Sequence, residues 1–262
     1  MCYNFKFIIL TTCFFTASGN SLYVAQRIGG KLLSISQLMR QDKIEIEDDA
    51  VGIVCPVYVA ELPMMISEFM KKAEIKTDYL FVVLTCGESF DTALGHAELA
   101  AQARGWDIKY GNGVKMVYNY LPLHDMEEEI AKLPEKNEEG QISKVLADLA
   151  ERKIQKVVIT PELKKQMEFF HNEYATKLLD KNSALDYYVT DYCVRCAFCS
   201  KVCPSNNIKV TGLGVKFFDH CEVCYACVHN CPMKAIHLKN ERSGARFRNP
   251  HLMLKDIIKA NE

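Results

Sequence analysis

This chain of 262 residues has almost no net charge: 32 lysines and arginines face 33 aspartates and glutamates, leaving −1. Such a balance offers no basic field for nucleic acid and no acidic tail that would stay disordered. The apolar run Phe7 to Ala17, behind Lys6, is too short to cross a bilayer, so no membrane span is expected. Tryptophan occurs once, at Trp106, where it follows the helix-ending Gly105 and reads as a packing residue. Seven histidines (His96, His124, His171, His220, His229, His237 and His251) fall at no metal-site or triad spacing, and no catalytic residue is assigned. Gly212-Leu213-Gly214 lacks a third glycine and opens no helix, which excludes a dinucleotide fingerprint. The 49% apolar composition is ample for the core of one or two domains.

Cysteine is what the chain has in excess. Eight of its 12 lie in two runs, Cys193-x-x-Cys196-x-x-Cys199-x-x-x-Cys203-Pro204 and Cys221-x-x-Cys224-x-x-Cys227-x-x-x-Cys231-Pro232. Structural zinc uses two ligand pairs separated by a longer gap, which this layout does not match. A disulfide framework needs an oxidising compartment and no such duplicated spacing. Three closely spaced thiolates around one iron–sulfur cube, with a distant fourth, account for each run. The pattern resembles that of bacterial two-cluster ferredoxins, whose fourth cysteine ligates the other cluster. That resemblance implies one 4Fe–4S cluster on Cys193, Cys196, Cys199 and Cys231, and a second on Cys221, Cys224, Cys227 and Cys203. Free thiolates also argue for a reducing, cytoplasmic setting.

The N-terminal apolar run reads either as the core of a short signal peptide or as a buried first strand of a parallel sheet. It leads into Thr16-Ala17-Ser18-Gly19-Asn20-Ser21, then a helical pattern through Val24 and Ile28 closed by Gly29-Gly30. Strand, hydroxyl-rich turn and helix N-terminus together make a phosphate-binding design, because unpaired backbone N–H groups collect there. Cleavage near Ala17 would destroy that loop, so the strand reading prevails. Further buried strands are expected at Ala50–Cys55, at Tyr79–Leu84 and at Val114–Tyr120, with a weaker one near Leu32–Ile35. Helices follow Pro63 and run from about Thr92 to Arg104.

Alternating strands and helices imply a doubly wound α/β domain, and the loops after strands 1, 3 and 4 converge at its switch point. The first loop resembles the FMN phosphate loop of flavodoxins, with Ser18 at the second hydroxyl position. The resemblance implies a flavodoxin-like, five-stranded parallel sheet of order 2-1-3-4-5. It also implies that Pro56-Val57-Tyr58 and Thr85-Cys86-Gly87 clasp the flavin ring. Tyr58 can stack on that ring or cap the sheet; Gly87 can admit the flavin or make a turn. Short-chain flavodoxins carry a tryptophan after strand 3 that is lacking here.

Residues 124–185 read as a charged helical connector without chemistry, including an exposed loop at Glu135–Gln141. Residues 186–240 read as a small α+β two-cluster ferredoxin-like domain, and 241–262 as a tail with a short helix that folds back onto a neighbouring module. The whole resembles flavodoxin–ferredoxin fusion proteins, with the flavodoxin-like domain over 1–123. It implies electron transfer between FMN, two 4Fe–4S clusters and a redox partner protein. A flavin-dependent reductase fed through its clusters, and a purely structural module, are the other classes. Cys55 and Cys86, beside the flavin loops, read as buried structural thiols.

Overall fold

The computed structural model describes residues 9–262; Phe7 and Ile8, which open the apolar run, lie outside them. Five strands, β1 (Leu10–Phe14), β2 (Lys31–Ser34), β3 (Ala50–Pro56), β4 (Tyr79–Cys86) and β5 (Ile108–Lys115), form one sheet in the order 2-1-3-4-5. Every neighbouring pair is parallel. Both faces are covered, so β1, β3 and β4 are buried at successive positions rather than at alternate ones. Phe14, Val54, Phe81, Val83 and Val114 face one side, and Cys13, Ile53, Val82, Leu84 and Ile108 the other.

Helix α1 (Asn20–Ile28) packs on the first side through Val24, Ala25 and Ile28, and ends where the Gly29 N–H caps Ala25 O. On the second side lie α2 (Met64–Lys72) and α3 (Asp91–Ala103), led by Ile66, Phe69 and Ala97. Gly52 sits opposite Phe81 in the register of β3 and β4. A methyl group added there would come within 2.2 Å of the Phe81 ring. Gly52→Ala is therefore expected to destabilise the protein by about 1–3 kcal/mol through overpacking, measured by denaturant unfolding.

The last strand lies earlier than its sequence suggests: it occupies Ile108–Lys115, whereas the expected strand was Val114–Tyr120. Gly111 and Gly113 lie inside it, and glycine is a poor strand former. Both are required by space, since added methyl groups would meet Val157 at 2.7 Å and the Phe90 ring at 2.1 Å. Residues 116–120 leave the sheet instead.

The stretch read as a connector also proves more integrated. Its helix α4 (Glu138–Ala150) covers the first face of the sheet with Ile142, Val145, Leu146 and Leu149. The expected loop at Glu135–Gln141 is a turn of 3₁₀ helix followed by the first turn of α4. Farther on, α5 (Pro161–Phe170), capped by Thr160, continues through a wider turn, His171–Ala175.

The cysteine-rich part is built from short pieces. Tyr188–Val189 pairs antiparallel with Ile236–His237, and Ile208–Thr211 with Gly214–Phe217. Short helices Phe198–Lys201 and Ala226–His229 carry Cys199 and Cys227. The chain then returns to the sheet layer, where α6 (Leu254–Asn261) buries Ile257 and Ala260 among the α1-side core. Among the described residues no helix is long and apolar enough to cross a membrane.

Candidate functional site

A cavity of about 500 Å³ opens at the carboxyl ends of β1, β3 and β4. Its floor is made by Thr16, Ala17, Ser18, Asn20 and Ser21; its sides are Pro56-Val57-Tyr58 and Thr85-Cys86-Gly87. Eleven of the twelve residues singled out from the sequence thus line one space. Gly19 is the exception. It has φ +106° and lies behind the floor, close to Leu252 and Asn249.

The loop is bonded to its neighbours. Ser21 Oγ and Thr85 Oγ1 are 2.7 Å apart, joining the first and third loops. The backbone N–H groups of Gly19, Asn20, Ser21 and Leu22 precede the first bond of the helix, from Tyr23 N–H to Gly19 O, and so have no partner within it, as at any helix start without a cap. The Thr16 hydroxyl is buried without a partner as well. Buried donors of this kind cost stability unless something accepts from them. The donor set suits a dianionic phosphate.

Above the floor the walls are aromatic and apolar. Tyr58 packs edge-on to Phe15, its hydroxyl is buried without a partner, and burial pushes its pKa well above the usual phenol value. Gly87 leaves room for a neighbour in the wall: a methyl group there would lie 2.2 Å from Tyr118. Burial pushes Cys86 up to about 11, and Cys55, off the cavity, also upward, so both stay neutral thiols at physiological pH.

Sequence reading missed three contributors. Val117 to Tyr120, expected as strand, form one wall; Leu123, just before the supposed connector, and Phe170, Tyr174, Leu178 and Leu179 within it form the rim. The connector thus carries more than a solvated face. The third contributor is Val223-Cys224-Tyr225, from the second cysteine run. Nothing in local sequence marks these residues, because a contact across more than a hundred positions leaves no periodicity.

The eight cysteines of the two runs surround two further small cavities. One is lined by Cys193, Cys196, Cys199 and Cys231, among Val210, Val215 and Ile236. The other is lined by Cys203, Cys221, Cys224 and Cys227, beside Tyr187, Phe217 and Tyr225. Each thus draws three thiols from one run and the fourth from the other. Among the described residues, no three His, Cys, Asp or Glu side chains close in tightly enough to hold a single metal ion. The thiols ring a space instead of meeting at a point.

The backbone repeats in the two runs. Arg195, Ala197 and Asn206 have φ of 57°, 64° and 56°, and their counterparts Val223, Tyr225 and Lys234 have 52°, 55° and 47°. Left-handed conformations at such residues cost of order 1–3 kcal/mol each and tend to mark functional sites. They turn N–H groups inward: Asn207 and Ala235, each four residues after its Cys, donate to Cys203 Sγ (3.2 Å) and Cys231 Sγ (3.3 Å). Val223 N–H donates to Cys221 Sγ at 3.3 Å. Burial pushes Cys199 up to about 12 and Cys221 to about 11, so unliganded thiols here hold their protons. A soft metal centre would have to displace them. The all-thiol donor set, apolar lining and N–H···S bonds fit an iron–sulfur cluster.

The 2-1-3-4-5 sheet with helices on both faces defines a doubly wound α/β protein with its crevice at the strand carboxyl ends. No family model matches the chain, and no curated protein does. Similar solved structures include a flavodoxin from Streptococcus pneumoniae TIGR4, at 13% identity and TM-score 0.35, covering 55% of this chain and 99% of that one. A flavoprotein in complex with FMN from Lactobacillus acidophilus NCFM has 10% identity and TM-score 0.28, covering 40% and 92%. An NAD(P)H:quinone oxidoreductase from Methanothermobacter marburgensis has 10% identity and TM-score 0.32, covering 58% and 99%.

Proposed function

We propose that this chain is an electron-transfer protein that binds FMN in the large crevice and one 4Fe–4S cluster in each cysteine-lined cavity. One observation carries the reading. Cys224 and Tyr225 belong to the wall of the crevice and to the wall of the second cysteine cavity. Two redox groups in these spaces would be separated by little more than those side chains.

In this reading Thr16, Ser18 and the N–H groups of residues 17–20 hold the FMN phosphate, and Tyr58, Tyr118 and Tyr120 flank the ring. Cys203, Cys221, Cys224 and Cys227 hold the inner cluster. Cys193, Cys196, Cys199 and Cys231 hold the outer one, where Cys196 and Val194 are exposed to a redox partner protein. Bound FMN supplies one- and two-electron chemistry, and each cluster moves one electron at a time. The chain's residues set the potentials through burial and the N–H···S bonds described above.

The test is an anaerobic reductive titration of purified protein, with FMN, iron and sulfide quantified. One FMN and two four-iron clusters, all titrating, are expected. Zinc in place of iron, or clusters without flavin, would overturn the corresponding half.

A second reading, a reductase of small molecules, has its own support in the apolar rim of Leu123, Phe170, Tyr174 and Leu178. Leu123 and Tyr174, 56% and 45% exposed, line the same space as Phe170 and Leu178 and give it an apolar mouth suited to an apolar small molecule. Turnover of a small acceptor by the reduced protein alone would select this reading over a pure carrier.

A further inference from the structure

The floor of the crevice is held from behind by the C-terminal third of the chain. The carbonyl oxygen of Thr16 accepts from Asn261 Nδ2 (3.3 Å), that of Ala17 from Asn230 Nδ2 (3.1 Å), and that of Ser18 from the backbone N–H of Asn249 (2.8 Å). Asn249 Nδ2 also donates to Asn20 Oδ1 at 3.1 Å. All three asparagines are at most 2% exposed. In a trans peptide the N–H points opposite to the C=O. Drawing three successive carbonyls backward therefore turns the N–H groups of Ala17, Ser18 and Gly19 forward, which is the arrangement that accepts an anion.

One of these asparagines belongs to the cysteine motif itself. Asn230 lies between His229 and Cys231, and its amide also donates to Ala226 O (3.0 Å) in the short helix that carries Cys227. His229 adds a second tether. Its Nδ1 accepts from Phe247 N–H (3.2 Å), which leaves Nε2 to donate to Asn119 O at 2.9 Å. Asn119 in turn donates to Ser18 Oγ. The segment that presents Cys227 and Cys231 to two different cavities thus reaches two loops of the crevice.

Resting on the FMN reading above, we propose that Asn230, Asn249 and Asn261 are positioning residues for the flavin phosphate. Through Asn230, FMN affinity is coupled to assembly of the clusters. The coupling is reciprocal: whatever factor the clusters add to FMN affinity, bound FMN adds to cluster retention.

The experiment uses the full chain, purified anaerobically and freed of flavin by dialysis with its iron retained. FMN and riboflavin, which lacks the phosphate, are each titrated by quenching of flavin fluorescence. Asn230→Leu removes the amide while filling its volume; Asn261→Leu does the same far along the chain from any cluster cysteine. Each is expected to weaken FMN about tenfold or more, as for loss of one buried hydrogen bond. Riboflavin affinity and iron content should stay near wild type. Wild-type chain stripped of iron should also lose FMN affinity relative to riboflavin.

Equal weakening of both flavins in Asn261→Leu would mean a merely structural role and overturn the proposal. So would an iron-free chain that binds FMN as tightly as the holoprotein. A wild-type chain that takes up riboflavin and FMN equally would instead overturn the phosphate-site reading beneath it.

Discussion

If the two cysteine cavities hold the proposed clusters, Cys224→Ala is expected to remove half of the protein's iron and to cut the flavin off from electrons arriving at the outer cluster. Cys224 stands in the wall between the crevice and the inner cysteine cavity, next to Tyr225, whose ring packs against Tyr120 and Tyr187. No other cysteine of the two runs lines both spaces. Cys196→Ala is the matched comparison, since Cys196 is exposed and lines only the outer cavity. It too should cost half of the iron, yet leave the inner cluster beside the flavin. Iron and sulfide analysis with stopped-flow reduction by a one-electron donor separates the two. Flavin reduction through the clusters should survive in Cys196→Ala for a small donor that reaches the inner cluster, and fail in Cys224→Ala. Equal flavin reduction in both variants would mean that the shared wall is not the route.

Gly19→Ala should be the most damaging change in the loop that floors the crevice, although Gly19 itself lies behind the floor. At φ +106° a side chain is strained whatever the space, at a cost of about 1–3 kcal/mol. Space is also short: the new methyl group would lie 2.9 Å from Leu252 Cδ1 and 3.0 Å from Asn249 Cβ. Both neighbours sit in the segment that bonds the Ser18 carbonyl, so relief of the clash pushes that segment off the loop. On the phosphate-site reading, FMN affinity is expected to fall by about a hundredfold, from loss of two phosphate hydrogen bonds of roughly 1.5 kcal/mol each. The melting temperature should fall with it. Calorimetric FMN titration and thermal unfolding of the same preparation read the two effects, and unchanged affinity would remove the loop from the phosphate site.

The five-stranded parallel sheet was legible because β1, β3 and β4 are buried on both faces: β3 and β4 appear as nearly continuous apolar runs, and β1 lies within the largely apolar stretch that ends at Ala17. Convergence of the loops at 16–21, 56–58 and 85–87 followed from the topology of such sheets, without any contact being known. β5 escaped because Gly111 and Gly113 make room for Val157 and Phe90, a demand set by distant side chains and invisible locally. The cysteine spacing marked its eight residues, and the structure gathers them four by four around two cavities. What the sequence concealed was the joinery. Asn230, Asn249 and Asn261 look like ordinary polar residues, and only their burial against the carbonyls of the first loop shows what they hold. The same is true of Phe170 and Tyr174, which lie in a charged helical stretch and yet reach the crevice.

The bonds behind the first loop join residues very far apart in sequence. Asn261 and Thr16 are separated by 245 positions, Asn230 and Ala17 by 213, and Ser34 bonds Ala260 across 226. Contacts of that span form late, because loop-closure entropy has to be met before they stabilise anything. The sheet, by contrast, joins strands of modest separation. On the phosphate-site reading, FMN binding by a refolding chain is therefore expected to recover later than the far-ultraviolet signal of the sheet, which stopped-flow refolding followed by both probes would check; coincident recovery would mean that loop and sheet form together.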